Sequence, residues 1–227
     1  YYEVTIVNSS YKFSSDKKNL KQITCEEFVS DPVKFDRVLY HFGNSHFHME
    51  YFDYLETNPG VSVLHDFFLG GVISLRSDSN SLIKDNYGSK GVAKIHTKGE
   101  GDFYDNFPGN LSIIQNSYGI ILHSNFAHNL VNFWYGDDGM SKSCVIPLFR
   151  NKIEKLPRNA AREKLGIDGK KFLVSSFGHM GPNKLNDKLL DAWMNCSTKK
   201  NSVLAFVGKI GNSEYDIQLL RKIKKLK

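Results

Sequence analysis

Several familiar signatures are missing from this chain, and each absence excludes a class. Cysteine is scarce: Cys25, Cys144 and Cys196 are the three present, far apart, in no CxxC or Cys/His pairing and odd in number. Neither a disulfide framework nor a zinc knuckle is therefore suggested, and a reducing compartment fits best. No apolar run approaches the roughly 18–20 residues needed to span a bilayer. The opening Tyr1-Tyr2-Glu3-Val4 has no initiator Met, basic stretch or cleavage site, and it reads as the inside of a strand. The phosphate-cradling patterns GxGxxG and GxxxxGK[ST] are absent, and there is no Asp-x-Asp metal-ligand motif.

What is present is an ordinary globular composition. The 227 residues include 41% hydrophobic and 13% aromatic residues, with 30 Lys+Arg against 24 Asp+Glu for a formal charge of +6. That length holds one large domain or two modest ones and excludes disordered and fibrous architectures. The excess charge gathers in the tail at Arg221, Lys222, Lys224, Lys225 and Lys227. It is read as the solvated face of a helix whose buried side carries Ile217, Leu219, Leu220, Ile223 and Leu226, and not as a nucleic-acid patch.

Short apolar runs recur at Val4–Val7, Val38–Phe42, Val61–Leu64, Gly119–Leu122, Cys144–Leu148, Phe172–Phe177 and Val203–Val207. Continuous hydrophobicity suits strands buried on both faces, so these predict parallel strands of an α/β fold. Helices are predicted over Ser45–Thr57, from Ser124 with Phe126, Ala127, Leu130 and Val131, and over Lys184–Cys196. Between Arg76 and Asn110 a Ser/Gly/Asp/Asn/Lys-rich stretch predicts an excursion from the sheet, partly loop. A composition shift at Pro147–Pro157 places a domain boundary there, giving units 1–150 and 151–227.

Open α/β sheets bind ligands where strands end and helices begin. His41-Phe42-Gly43-Asn44-Ser45-His46-Phe47-His48 sits at one such point, where Asn44 and Ser45 either cap a helix or meet a ligand. His65-Asp66 ends another strand and admits a metal site, a structural histidine or a substrate contact; the last is favoured. His46 and His48 lie two apart and point differently, so no shared metal with His41 and His65 is expected. In the second unit, Gly178 and His179 lead to Lys184 at a predicted helix start. A lysine there suits a diphosphate as well as it suits solvent. Val207-Gly208-Lys209 repeats the strand-to-glycine pattern.

Taken in order, YHFGNSHFH (Tyr40–His48), NPGVSVLHDFFLGG (Asn58–Gly71), IILHSNFA (Ile120–Ala127), VIPL (Val145–Leu148), AREKLGI (Ala161–Ile167), SFGHMGPNKLNDKLLDAW (Ser176–Trp193) and LAFVGKIG (Leu204–Gly211) resemble the retaining nucleotide-sugar glycosyltransferases of GT-B fold, group 1 or family 4. The resemblance implies two Rossmann-like units: an acceptor-side domain over 1–150 without its first strand, and the start of a nucleotide-sugar-binding domain over 151–227. It implies that His65 faces the transferred sugar, that Gly178, His179, Lys184, Gly208 and Lys209 serve the donor, and that Asn44 and Ser45 serve the acceptor. Where the family usually has Arg or Lys, this chain has His179, whose neutral ring offers one donor in place of a charged fork.

The family's Gly-rich loop and acidic donor motif are not found, so the chain reads as the middle of a longer enzyme, with little turnover expected from this piece alone. The implied partners are a nucleotide-diphosphate sugar and a glycan or lipid-linked acceptor. The implied setting is the cytoplasm, with peripheral contact at the inner face of a membrane. Neither cofactor nor metal is expected. A nucleotide-sugar epimerase of the same fold, or a non-catalytic sugar- or partner-binding module, are the alternatives.

Overall fold

Runs of Val, Ile, Leu and Phe fit a pleated, twice-covered ladder, and here they form parallel strands. The computed structural model describes residues 2–8, 20–98, 106–150 and 155–226. The chain divides into two compact units, Tyr1–Arg150 and Asn151–Lys227. The fold is mixed α/β, and every strand pair among the described residues is parallel.

In the first unit, β1 (Val4–Val7) pairs with β2 (Leu20–Ile23) in a sheet of its own. Then come α1 (Cys25–Ser30), β3 (Leu39–Phe42), α2 (Tyr51–Thr57), β4 (Val61–Leu64), α3 (Gly70–Ile73) and α4 (Ser79–Lys98). They are followed by α5 (Leu111–Asn116), β5 (Gly119–Leu122), α6 (Asn125–Lys142) and β6 (Ser143–Val145). The order β3-β4-β5-β6 makes a four-stranded sheet. Neither β2 nor α1 was foreseen, because neither carries an apolar run. A capping box marks α1 instead: Thr24 Oγ1 accepts from the Glu27 N–H at 3.1 Å, and the Glu27 carboxylate accepts from the Thr24 N–H at 2.7 Å.

The core lies against the four-stranded sheet. Phe42, Leu64 and Leu122 are paired across three strands and all buried, and Phe42 meets Phe52 of α2 edge-on at 5.3 Å. The central strand β4 is covered on both sides, so its Ser62 hydroxyl is buried. It is satisfied by the Ser117 hydroxyl at 2.7 Å. Tyr40 follows the same rule, its hydroxyl reaching the Asn58 carbonyl at 2.8 Å; burial raises its pKa to about 12.

The stretch after Arg76 leaves the sheet, as expected: α4 runs over Ser79–Lys98 and turns at Gly88, whose φ of 65° leaves the helical path, and residues 107–110 have no regular structure. Its helical character escaped the sequence reading because its contacts with the core, Ile83, Tyr87 and Val92, are spread among polar residues. Residues 99–105 of that stretch lie outside the described residues. The helix expected over Ser45–Thr57 is instead a 3₁₀ turn, His46–His48, followed by α2. In α6, Ser124 caps the helix, accepting from the Ala127 N–H at 3.2 Å, and Ala127, Leu130 and Val131 pack inward. Phe126, assigned to that face, is exposed.

The second unit comprises α7 (Arg158–Lys164), β7 (Phe172–Phe177), α8 (Asn186–Met194), β8 (Ser202–Val207) and α9 (Glu214–Lys224). Strands β7 and β8 pair in register from Phe172↔Ser202 to Phe177↔Val207. The basic tail helix α9 buries Leu219, while Ile217, Leu220 and Leu226 stay exposed, a narrower apolar face than expected. No helix among the described residues is long and apolar enough to cross a membrane.

Candidate functional site

In the first unit the strand ends gather histidines. Phe42, Leu64 and Leu122 stand side by side in the ladder. Side chains alternate along a strand, so the residues next to these three, His41, His65 and His123, point away from the core together. The register delivers them into contact: His41 Nδ1 lies 2.9 Å from His65 Nε2, and His65 Nδ1 lies 3.2 Å from His123 Nε2. His123 Nδ1 in turn lies 2.9 Å from the Ile146 carbonyl oxygen beyond β6. Burial, with repulsion from the neighbouring imidazoles, lowers the pKa of His41 and of His65 from the usual histidine value.

His48 and Asp66 flank this line. A Cβ on Gly43 would lie 3.0 Å from His48 Nε2, so glycine leaves room for the ring. His48 Nδ1 is buried without a hydrogen-bond partner. Burial lowers the pKa of His48, against opposing pulls from the His41 backbone and Asp66. His46 faces elsewhere, its ring 3.8 Å from that of Phe47. The histidine contacts run pairwise and do not converge on one point, and no group of three or more His, Cys, Asp or Glu among the described residues is placed to hold a metal ion.

Asn44 and Ser45 shape the turn beside the histidines. The Asn44 N–H donates to Asp66 Oδ2 at 2.8 Å, and Asn44 Oδ1 accepts from the Val72 N–H at 2.9 Å. The amide oxygen is thus used to clasp α3, leaving the amide nitrogen as the group able to meet a ligand. Ser45 holds the 3₁₀ turn through its backbone, its carbonyl accepting from the His48 N–H at 3.1 Å.

In the second unit the ends of β7 and β8 form a glycine-lined corner. Gly178, at φ 125°, adopts a backbone conformation that other residues rarely take, and a Cβ at Gly208 would collide with the Gly178 carbonyl. The Gly178 N–H donates to the Val207 carbonyl at 3.0 Å, and the Met180 N–H donates to the Lys209 carbonyl at 3.0 Å.

Lys184 does not open a helix as expected. It ends a 3₁₀ turn, Pro182–Lys184, and Leu185 at φ 52° separates it from α8. Its side chain instead turns back over the corner, with Cε 3.6 Å from where a Gly178 Cβ would lie. Buried Asn186 fixes the loop by accepting from the Gly181 N–H at 3.0 Å. The exposed His179 ring adds a weak attraction to Asp216, whose pKa is lowered chiefly by the Ser213 hydroxyl.

The strand-end geometry thus defines an α/β protein with a histidine-lined edge in one unit and a glycine–lysine corner in the other. Comparison with protein-family models and with curated proteins finds no match to this chain. His123 was missed in the sequence, although a signal was there: Leu64-His65 and Leu122-His123 repeat the same Leu-His step at the ends of two apolar runs. A separate cavity of about 540 Å³ is walled by Tyr87, Trp134, Tyr135, Asp138 and Lys142. None of the residues singled out from the sequence lines it.

Proposed function

We propose that the chain is part of a retaining GT-B glycosyltransferase that moves a sugar from a nucleotide-diphosphate sugar to a hydroxyl of a glycan or lipid-linked acceptor. The single observation carrying this reading is the corner where Gly178 and Gly208 meet under the Lys184 side chain. Bare backbone beside an exposed ammonium suits a diphosphate, whose oxygens need close approach and positive charge. As the bond from the sugar to the diphosphate breaks, negative charge grows on the leaving group, and Lys184 stabilises it. The N–H groups of Gly178, Met180, Gly181 and Lys184 are spent on bonds within the unit, so the Lys184 ammonium is the principal donor, and His179 and Lys209 border the corner. In this reading His65 and its neighbours face the sugar, with Asn44 and Ser45 on the acceptor side.

The test is product analysis with a panel of nucleotide-sugars and the Lys184→Ala variant. Lys184→Ala is expected to slow transfer by about 3–4 kcal/mol of barrier, roughly 100- to 1000-fold, by analogy with the loss of one preorganised donor. Acceptor affinity should change little, and Lys184→Arg should restore part of the rate. Transfer by Lys184→Ala at the wild-type rate in a normally folded protein would defeat the phosphate assignment. An epimerised nucleotide-sugar in place of a transferred sugar would replace the transferase with the epimerase.

A further inference from the structure

A backbone carbonyl can only accept a hydrogen bond, and that fact propagates through three side chains. Because the Ile146 carbonyl faces His123 Nδ1 at 2.9 Å, Nδ1 carries the hydrogen, and in the neutral ring Nε2 is an acceptor. His65 must then donate from Nδ1 to His123 Nε2 and accept at its own Nε2. His41 must donate from Nδ1 to His65 Nε2. One carbonyl fixes three tautomers, and a single lone pair is left over, on His41 Nε2.

The ring geometry agrees. The His41 and His65 planes are 16° apart with centroids 5.2 Å apart, which matches their 2.9 Å nitrogen contact plus a ring radius at each end. The rings therefore meet edge to edge along a hydrogen bond and do not stack face to face. The His65–His123 link is longer and more tilted, at 3.2 Å and 36°. Both His65 nitrogens are engaged, so in this state His65 has none to offer a ligand. His41, exposed at the end of the line, does.

We propose that His41, His65 and His123 form one proton-accepting unit whose open end is His41 Nε2, and that a hydroxyl-bearing ligand at the strand ends gives its proton to that atom. The identity of the hydroxyl as the acceptor's rests on the glycosyltransferase reading. There, the acceptor O–H bond breaks as its oxygen bonds to the anomeric carbon on the face from which the diphosphate departs, so that configuration is kept, and the electron pair of the breaking sugar–phosphate bond leaves with the diphosphate. The proton goes to His41 Nε2. His41 Nδ1–H can pass to His65 Nε2, and His65 Nδ1–H to His123 Nε2, so that one positive charge is shared over three rings. His65 and His123 are positioning residues for His41. The other titratable groups facing the line are His48, which opposes a second charge, and Asp66, which favours the first.

The experiment is nitrogen-15 NMR of the histidine rings in this chain between pH 8 and pH 5, assigned with His41→Gln and His123→Phe. At pH 8 all three rings are expected as the Nδ1–H tautomer, opposite to the Nε2–H form that a free imidazole favours. On acidification the three should take up one proton together before a second enters. In His123→Phe, His65 should lose its Nδ1–H form. Three rings in the Nε2–H form, titrating independently, would overturn the linked unit even if both variants fail to fold, since the wild-type spectrum decides it.

For the proton-accepting role, His41→Gln should slow transfer about 100-fold or more and flatten the acid limb of the kcat/KM profile, which His123→Phe should shift. An unchanged rate in His41→Gln with the NMR pattern intact would overturn that role. Absence of transfer from every nucleotide-sugar would defeat the glycosyltransferase reading while leaving the NMR result to judge the linked rings.

Discussion

The two units solve the problem of burial differently. Of the buried apolar residues, Leu190 and Leu219 belong to the second unit, while the cluster around Phe42, Leu55, Leu69, Ile113 and Leu122 belongs to the first. The second unit instead buries Arg162, Asn186, Ser202 and Asp216. Arg162 donates to the carbonyls of Asp168 at 2.9 Å and Lys171 at 2.8 Å, and the Trp193 indole donates to Ser202 Oγ at 2.8 Å. Apolar packing is broad and tolerant of small shifts, whereas a polar cross-link depends on a few atoms being in place. The first unit should therefore fail through cavities and the second through unsatisfied groups.

The largest effect expected from that contrast is in the first unit. Phe42→Ala removes a ring from the centre of the sheet's packing and should cost about 3–5 kcal/mol, read as a fall in urea midpoint. A cost below about 1 kcal/mol would mean that the cluster collapses around the gap. In the second unit Arg162→Met keeps most of the stem but removes both charge-assisted hydrogen bonds, to the carbonyls of Asp168 and Lys171, and should cost about 1–3 kcal/mol. Equal stability of that variant would show that packing holds the second unit after all.

Smaller again, Ser213→Ala removes the hydroxyl that accepts from the Asp216 N–H at 3.3 Å and should cost about 1 kcal/mol in thermal unfolding. Comparing it with Thr24→Ala, which removes the equivalent cap in the first unit, asks whether a cap matters more where the core is thin.

The gentlest probe is pH. The pKa values of His41, His48 and His65 are lowered, with burial the first cause in each. The unfolded chain therefore binds protons first as pH falls. Their contribution is intact above about pH 6.5 and is lost as pH drops from there toward the lowered folded values. Stability of the first unit followed from pH 8 to pH 5 should decline in that window, and less steeply in His41→Gln. A flat profile would mean that the histidines are as free in the fold as in the unfolded chain.

Much of the scaffold could be read locally. Val61–Leu64, Gly119–Leu122 and Phe172–Phe177 are strands within the bounds predicted for them, because an unbroken β-favouring run between turn residues has few other ways to bury itself. Ser124 announced its helix because a cap works through residues three positions away. The α4 helix was hidden because its anchors Ile83, Tyr87 and Val92 are diluted by polar neighbours, and only the surface they pack against reveals them.

The strand-end positions of Gly178 and His65 were legible because one apolar run sufficed to place each, but the arrangement of side chains around them was not. Lys184 folds back over Gly178 because Leu185 turns left-handed before α8 begins, a choice made by the loop as a whole. The histidine line joins residues 24 and 58 positions apart. Sequence determined that each histidine stands beside the last apolar residue of a strand, and therefore on the side away from the core. Only the tertiary structure decided that they touch, because contact depends on the register of β3, β4 and β5, and register is fixed by which residues all three strands can bury together.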